Sequence, residues 1–217
     1  LALLLCPQSQ LWGLVMDNHN QKSVSKSDVF ALPHLKELVL TTCNCGETKH
    51  CISAYQIVWA ESPAYREKFS YQETLNAIDA LRDCWTVVIK GNDQVVGFAG
   101  GYPMALRTDP VSLSLISHAQ DAYWIAELGV VPQYQGKGIG SFLLDYIIIQ
   151  KRNAGITEFL LCTAAKNNDA THLYEARGFK VVLSTDGIPV TIPISQMRTD
   201  GVVRTDNRVF FHVKASD

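Results

Sequence analysis

The chain has 217 residues, 47% hydrophobic and 18% charged, with a formal net charge of −2. That length suits one generous domain or two small ones, and the apolar content supports a normal buried core. The balance of charge argues against nucleic acid as an obligate partner, which would need a basic face, and leaves room for an acidic pocket that takes a cationic substrate.

Residues 1–5 are apolar and lead into Cys6. The run is too short to span a membrane and has no basic leader. A lipid anchor at Cys6 is one reading. The expected one is upstream sequence ahead of a natural start at Met16, with polar residues 17–30 as a flexible arm. The expected organisation is an arm over residues 1–32 and a folded domain over residues 33–217.

Residues 34–41 alternate and predict a first strand. Residues 51–69 place Ile52, Tyr55 and Trp59 at helical spacing, with Pro63 as a breaker. Residues 71–84 predict an amphipathic helix, with Leu75, Ile78 and Leu81 three apart. A hairpin follows: strand 85–90, turn 91–93 and strand 94–100. Residues 104–121 read as an irregular excursion. Then come a strand at 123–131, a helix at 137–154 closed by Gly155, a strand at 158–164, a helix at 168–177 closed by Gly178 and a strand at 180–183. Residues 185–205 contain Gly187, Pro189, Pro193 and Gly201 and read as a long connection. The last strand, 209–213, carries Val209, Phe211 and Val213 as a core stripe. The order predicts an α/β domain with a mixed sheet of six to seven strands and about four helices.

The six cysteines are irregularly spaced in a long chain. Cys43, Cys45, His50 and Cys51 resemble half of a zinc site, but the second spaced pair is missing. Free thiols in a reducing cytoplasm and no metal are expected.

The segment Gln135-Gly136-Lys137-Gly138-Ile139-Gly140 lies between a predicted strand and a predicted helix. Small residues there leave backbone N–H groups bare at the positive end of a helix, an anion site suited to a diphosphate. The phosphate-loop pattern fits poorly because Lys137 precedes Gly138 instead of Ser or Thr. The dinucleotide fingerprint fits poorly because its glycine spacing is absent.

Three further stretches accompany it. They are Glu127-Leu128-Gly129-Val130-Val131-Pro132 just before, Asn167 with Ala170 farther on, and Tyr174-Glu175-Ala176-Arg177-Gly178-Phe179. Together with Gln135, Gly138 and Gly140 they resemble the GNAT superfamily of N-acetyltransferases, over residues 35–183. The resemblance implies a GNAT fold and acetyl-CoA as co-substrate. The amides of Gln135, Gly136, Lys137, Gly138, Ile139, Gly140 and Ser141 would hold the coenzyme A diphosphate. The backbone from Leu128 to Val130 would pair with the pantetheine arm, and the Val130 N–H would polarise the thioester carbonyl.

Side-chain roles follow from the same resemblance. Glu127 is the candidate base, or else it orients a cationic substrate. Tyr174 is the candidate acid toward the coenzyme A sulfur, or else an aromatic packed on its helix. Asn167 hydrogen-bonds the pantetheine region, caps the following helix, or does both. Lys137 is either near a phosphate or solvated. His172 falls on another helix face from Tyr174, and Cys162 reads as a buried strand residue rather than a nucleophile.

The acceptor pocket of such a fold would draw on Trp59, Glu61, Tyr65, Glu67, Tyr71, Tyr102, Asp109, Asp121, Trp124 and Asp186. Carboxylates among aromatics suit a small cationic amine, with an aminoglycoside as first expectation. A peptide or polyamine acceptor and a non-catalytic coenzyme A-binding module are the alternatives. The 185–205 segment would cover an open groove and so favours a small molecule. A homodimer is compatible with the sequence, and no membrane partner is expected.

Overall fold

The computed structural model describes residues 38–42, 48–81, 86–90 and 94–214. Strands β1 (Leu38–Thr42), β2 (Thr86–Lys90), β3 (Gln94–Pro103), β4 (Ala122–Val130), β5 (Glu158–Ala164), β6 (Lys180–Val181), β7 (Thr191–Met197) and β8 (Val203–Lys214) join in one sheet. Its order is β1-β2-β3-β4-β5-β8-β6, with β7 also paired to β8. Every pairing is antiparallel except β4 with β5. The expected fold class stands.

Helices α1 (Thr48–Glu61) and α2 (Tyr71–Asp79) cover one face of the sheet. Tyr55, Val58, Trp59 and Ile78 pack there with Phe98 and Val131. Helices α4 (Ile139–Asn153) and α5 (Asn168–Glu175) cover the other face, and α3 (Pro110–Ser114) is a single short turn in the β3–β4 connection. Helix α4 buries Ile139, Leu143, Leu144, Ile147 and Ile148, a stripe at helical spacing. Each such side chain is worth about 1.5–3 kcal/mol when fully buried. Lys151 and Arg152 in the last turn suit the negative end of the helix, and Gly155, at φ +91°, ends it. The Phe211 and Val213 stripe lies in this core, with Val209 packed against it.

Three expectations change. The 104–121 excursion holds two 3₁₀ turns and α3, not an unstructured loop. Helix α2 ends at Asp79, before the expected boundary. The 185–205 connection contains β7, which pairs along β8 from Thr191↔Val209 to Met197↔Val203. This lengthens β8 well beyond 209–213 and brings the sheet to eight strands. The expected arm over residues 1–32, and Cys43 and Cys45 of the cysteine cluster, lie outside the described residues. Cys51 is fully buried in the α1 core while His50 is exposed.

Two irregularities place the site. Strands β4 and β5 pair only over 122–124 and 158–160, so the rest of β4 has an open edge. The β3–β4 register slips between Gly100 (opposite Glu127) and Gly101 (opposite Ile125), leaving Ala126 as an extra residue on β4. Such a bulge inverts the alternation of side chains. Tyr123 and Ile125 point into the α4 core, whereas Glu127, of the same parity, meets Tyr55 on α1. Gly101 allows the close approach, because a Cβ there would stand 2.1 Å from the Trp124 carbonyl oxygen.

Candidate functional site

A cavity of about 1130 Å³ opens where β4 and β5 diverge. Leu128 to Val130 and the turn into α4 line one end. Tyr65, Tyr102, Arg107, Trp124, Ile192 and Arg208 line the other. Glu127, Cys162 and Tyr174 also border it.

The first end is built from backbone. Gly136 and Gly138 hold φ of +72° and +82°, which side-chain-bearing residues rarely adopt. Gly138 is the N-cap of α4 and supplies no side-chain cap, so the amides of the first helical turn point outward without an intrahelical partner. Ile139 itself is buried beneath them, and Ser141 is half-buried. A Cβ on Gly140 would make only ordinary contacts, 3.6 Å to Val130 and 3.7 Å to Leu173. Smallness at that position is therefore not demanded by the protein's own packing.

The amide of Gln135 is already used, donating to the Pro132 carbonyl. Its side chain does something else: Nε2 donates to the Val130 carbonyl at 3.0 Å and ties the turn to β4. The Val131 N–H bonds Val96 on β3. Successive strand amides point to opposite edges, so the Val130 N–H faces the open edge. Lys137 is exposed, with its ammonium 5.0 Å from the Tyr134 ring centre.

Glu127 sits between the two ends. Tyr55 donates to its Oε1 at 3.2 Å, while Oε2 is buried with no hydrogen-bond partner. Burial pushes the carboxyl pKa up to about 8, against the pull of Arg208 and the Tyr55 hydroxyl, with Glu67 adding repulsion. Tyr174, 7% exposed, packs on Phe179 and Phe211, and burial raises its hydroxyl far above the ordinary phenol value. Packing and cavity contact coexist in this residue. Burial likewise raises the Cys162 thiol to about 11, so it stays protonated and is a poor nucleophile. Asn167 caps α5, its Oδ1 accepting from Ala170 N, and its amide donates to Tyr65 and Thr163. His172 is exposed at the cavity rim.

The acceptor-side expectation needs correction. Trp59, Tyr65, Tyr102 and Trp124 line the cavity, but Glu61, Glu67, Tyr71, Asp109, Asp121 and Asp186 do not. Glu61, Tyr71, Asp121 and Asp186 are exposed elsewhere. Glu67 is 2% exposed and spent on arginines, its Oε1 meeting Arg198 at 3.1 Å and Arg208 at 2.5 Å. Asp109 is spent on Arg107 and caps α3. Burial alone would raise the Asp109 carboxyl, but hydrogen bonds from Ser112 and the Arg107 charge hold it below the usual carboxylate range. The cations missed in the sequence are what face the cavity: Arg107, stacked 4.1 Å over Trp124, and Arg208, 4.9 Å over Tyr65. The Arg107–Asp109 pair lies two residues apart and is a local signal, whereas Arg208 meets Glu67 across 141 positions and has none.

A family signature described as "Acetyltransferase (GNAT) family" matches residues 51–179, more than half of the chain. The chain belongs to the GNAT family of acetyltransferases. Among curated proteins, this GNAT chain is 44% identical to mycothiol acetyltransferase of Propionibacterium freudenreichii over 59 residues, covering 27% of the chain and 19% of that protein. It is 37% identical to aminoalkylphosphonate N-acetyltransferase of Salmonella typhimurium over 86 residues, covering 36% of the chain and 56% of that protein. The match therefore spans about a fifth of the first relative and just over half of the second. In fold it resembles yncA from Salmonella typhimurium, solved with acetyl-CoA, at TM-score 0.60 and 17% identity over 83% of this chain and 95% of that one. It also resembles the paia N-acetyltransferase of Thermoplasma acidophilum in complex with coenzyme A, at TM-score 0.54 and 18% identity over 82% and 98% of the two chains.

Proposed function

We propose that this GNAT chain transfers the acetyl group of acetyl-CoA to a primary amine of a small molecule. One observation carries the reading: an ionisable carboxyl, Glu127, with a buried unpartnered oxygen, faces the same cavity as an uncapped helix N-terminus and an open strand edge. The fit to coenzyme A is good. The outward amides of Gly136 to Ser141 suit a diphosphate, and the β4 edge at Leu128 and Val130 suits an amide-bearing arm laid beside it. When bound, the thioester supplies an activated acetyl group.

Each residue then has a chemical task. Glu127 Oε2, once ionised, takes a proton from the incoming ammonium, directly or through water. The Val130 N–H, on the open edge of β4, would donate to a thioester carbonyl oxygen as it gains negative charge. The Tyr174 hydroxyl, kept protonated by burial, holds a proton at the coenzyme end. Asn167 serves first as a cap and a tether for Tyr65, and its pantetheine role would need its amide to change partners.

The name of the Salmonella relative supports a small amine, as does the β7–β8 hairpin, whose Ile192 and Ile194 wall the cavity where a peptide groove would open. An aminoglycoside is less well supported, because most of the carboxylates that would hold a polycation lie off the cavity. The free thiols Cys51 and Cys162 suit a cytoplasmic setting, and among the described residues no helix is long and apolar enough to cross a membrane.

The test is thiol release from acetyl-CoA with a panel of amino acids, aminophosphonates, polyamines, aminoglycosides and peptides. Release with at least one small amine, lowered about 10²-fold or more in the E127Q variant, is expected. Tight acetyl-CoA binding without release for any amine would instead leave a binding module.

A further inference from the structure

Three buried side-chain atoms on residues lining this cavity have no hydrogen-bond partner: Trp59 Nε1, Glu127 Oε2 and Arg208 Nε. Two are donors and one belongs to the candidate base. Leaving a buried donor unmatched costs about 1–3 kcal/mol, so two on residues that line one cavity call for a ligand that accepts hydrogen bonds.

Arg208 is built to stay in place. It sits on β8 between Ala164 of β5 and Ile192 of β7. Its Nη2 is held at 2.5 Å by Glu67, and its guanidinium lies 4.9 Å over the Tyr65 ring. Glu67 is itself held by Arg198, which also binds Asp206 at 2.5 Å, with Lys166 4.0 Å from that aspartate. Two carboxylates thus face three cations within this cluster, and Glu127, which also feels the Arg208 charge, balances them once it ionises. The Nε of Arg208 has no partner. Arg107 adds a second guanidinium to the same end of the cavity, fixed by Asp109 and by Tyr102 Oη at 3.0 Å.

We propose that Arg208 anchors an oxyanion of the acceptor, so that the substrate is a small amine that also carries a carboxylate or phosphonate, its nitrogen at Glu127 and its acid group at Arg208. A fixed guanidinium with an unpartnered N–H is suited to such groups. This rests on the acetyl-transfer reading above and names its substrate class.

The experiment compares ethylamine, alanine, 1-aminoethylphosphonate and spermidine as acceptors, with wild-type protein and the R208K and R208Q variants. The expected result is that alanine or the phosphonate exceeds ethylamine by about 100-fold in kcat/KM, mostly through KM. The better of the two identifies the acid. R208Q brings the ratio close to one, and R208K restores it only in part. Equal use of ethylamine, preference for spermidine, or an unchanged ratio in R208Q would overturn the anchor.

Calorimetry on the coenzyme A-loaded protein reads the anchor without turnover, using propionate and ethylphosphonate. Binding by wild type that is lost in R208Q supports the anchor even if no amine is acetylated, an outcome that would sink only the transferase reading. Absence of binding by wild type overturns the anchor. If R208Q fails to fold, the wild-type panel and calorimetry decide the matter alone.

Discussion

The two ends of the cavity are made of different materials. The α4 end is main chain: outward amides, two left-handed glycines and a strand edge, all within residues 128–141. The β8 end is side chain: Arg208, Arg107, Tyr65 and Trp124, brought together from separate elements and fixed by a buried carboxylate, Glu67, and a half-buried one, Asp109. A main-chain site tolerates side-chain variation and is disabled by bulk. A side-chain site is disabled by removing one charge, even a charge that touches no ligand.

Glu127 lies at the seam, and its replacement should have the largest effect. E127Q should lower kcat/KM by about 10²–10⁴-fold. In wild type the rate should rise with pH through a midpoint near 8, the value to which burial lifts this carboxyl, and E127Q should lose that limb. Stability gives an independent check. The carboxyl ionises near the ordinary 4.5 when unfolded and near 8 when folded. The folded state therefore binds the extra proton, and wild type loses stability as pH climbs from about 4.5 to about 8. Denaturant midpoints at pH 5 and pH 9 should diverge in wild type and differ less in E127Q.

Next in size is E67Q, at the β8 end. It removes the shared partner of two buried guanidiniums and should destabilise the fold by about 3–5 kcal/mol, read by urea unfolding. A change under 1 kcal/mol would mean that the cluster is not the scaffold described. At the α4 end, G138V imposes a β-branched residue at φ +82° beside the amides. Acetyl-CoA affinity by calorimetry should fall about 100-fold, roughly 2.7 kcal/mol. The smallest effect is expected for Q135A, which frees the Val130 carbonyl: about 1 kcal/mol in stability or coenzyme affinity. If E67Q weakened acetyl-CoA binding as much as G138V, the division between the ends would be wrong.

The same contrast explains what was legible in the sequence. Helix α4, its glycine turn and the strand before it are local features, so periodicity and punctuation pointed to the fold class, and the motifs they carry supplied the resemblance to the family. The β8 end depends on contacts between residues more than a hundred positions apart, such as Glu67 with Arg208, and no local pattern encodes them. Arg107 stands two residues from Asp109 and that pair is local, but the arginines that consume Glu67 lie 131 and 141 positions away. Strand β7 was hidden by Pro193 within a run, Thr191–Met197, that does alternate. Among the described residues β8 is the one strand paired with it, and its other side is met only at its end, where Lys68 N–H donates to the Met197 carbonyl, so a residue without an N–H is tolerated at 193. Gln135 was placed in the amide cradle, yet its own amide is occupied and its side chain acts as a brace.

The slipped register at Ala126 has an implication for aligning this chain with others. A relative without the extra residue restores regular alternation, so the position directly after its Ile125 counterpart already faces α1, as Glu127 does here. Counting from Trp124 without a gap would then set an α4-facing side chain against Glu127. The residue across the ladder, Gly100, identifies the true counterpart.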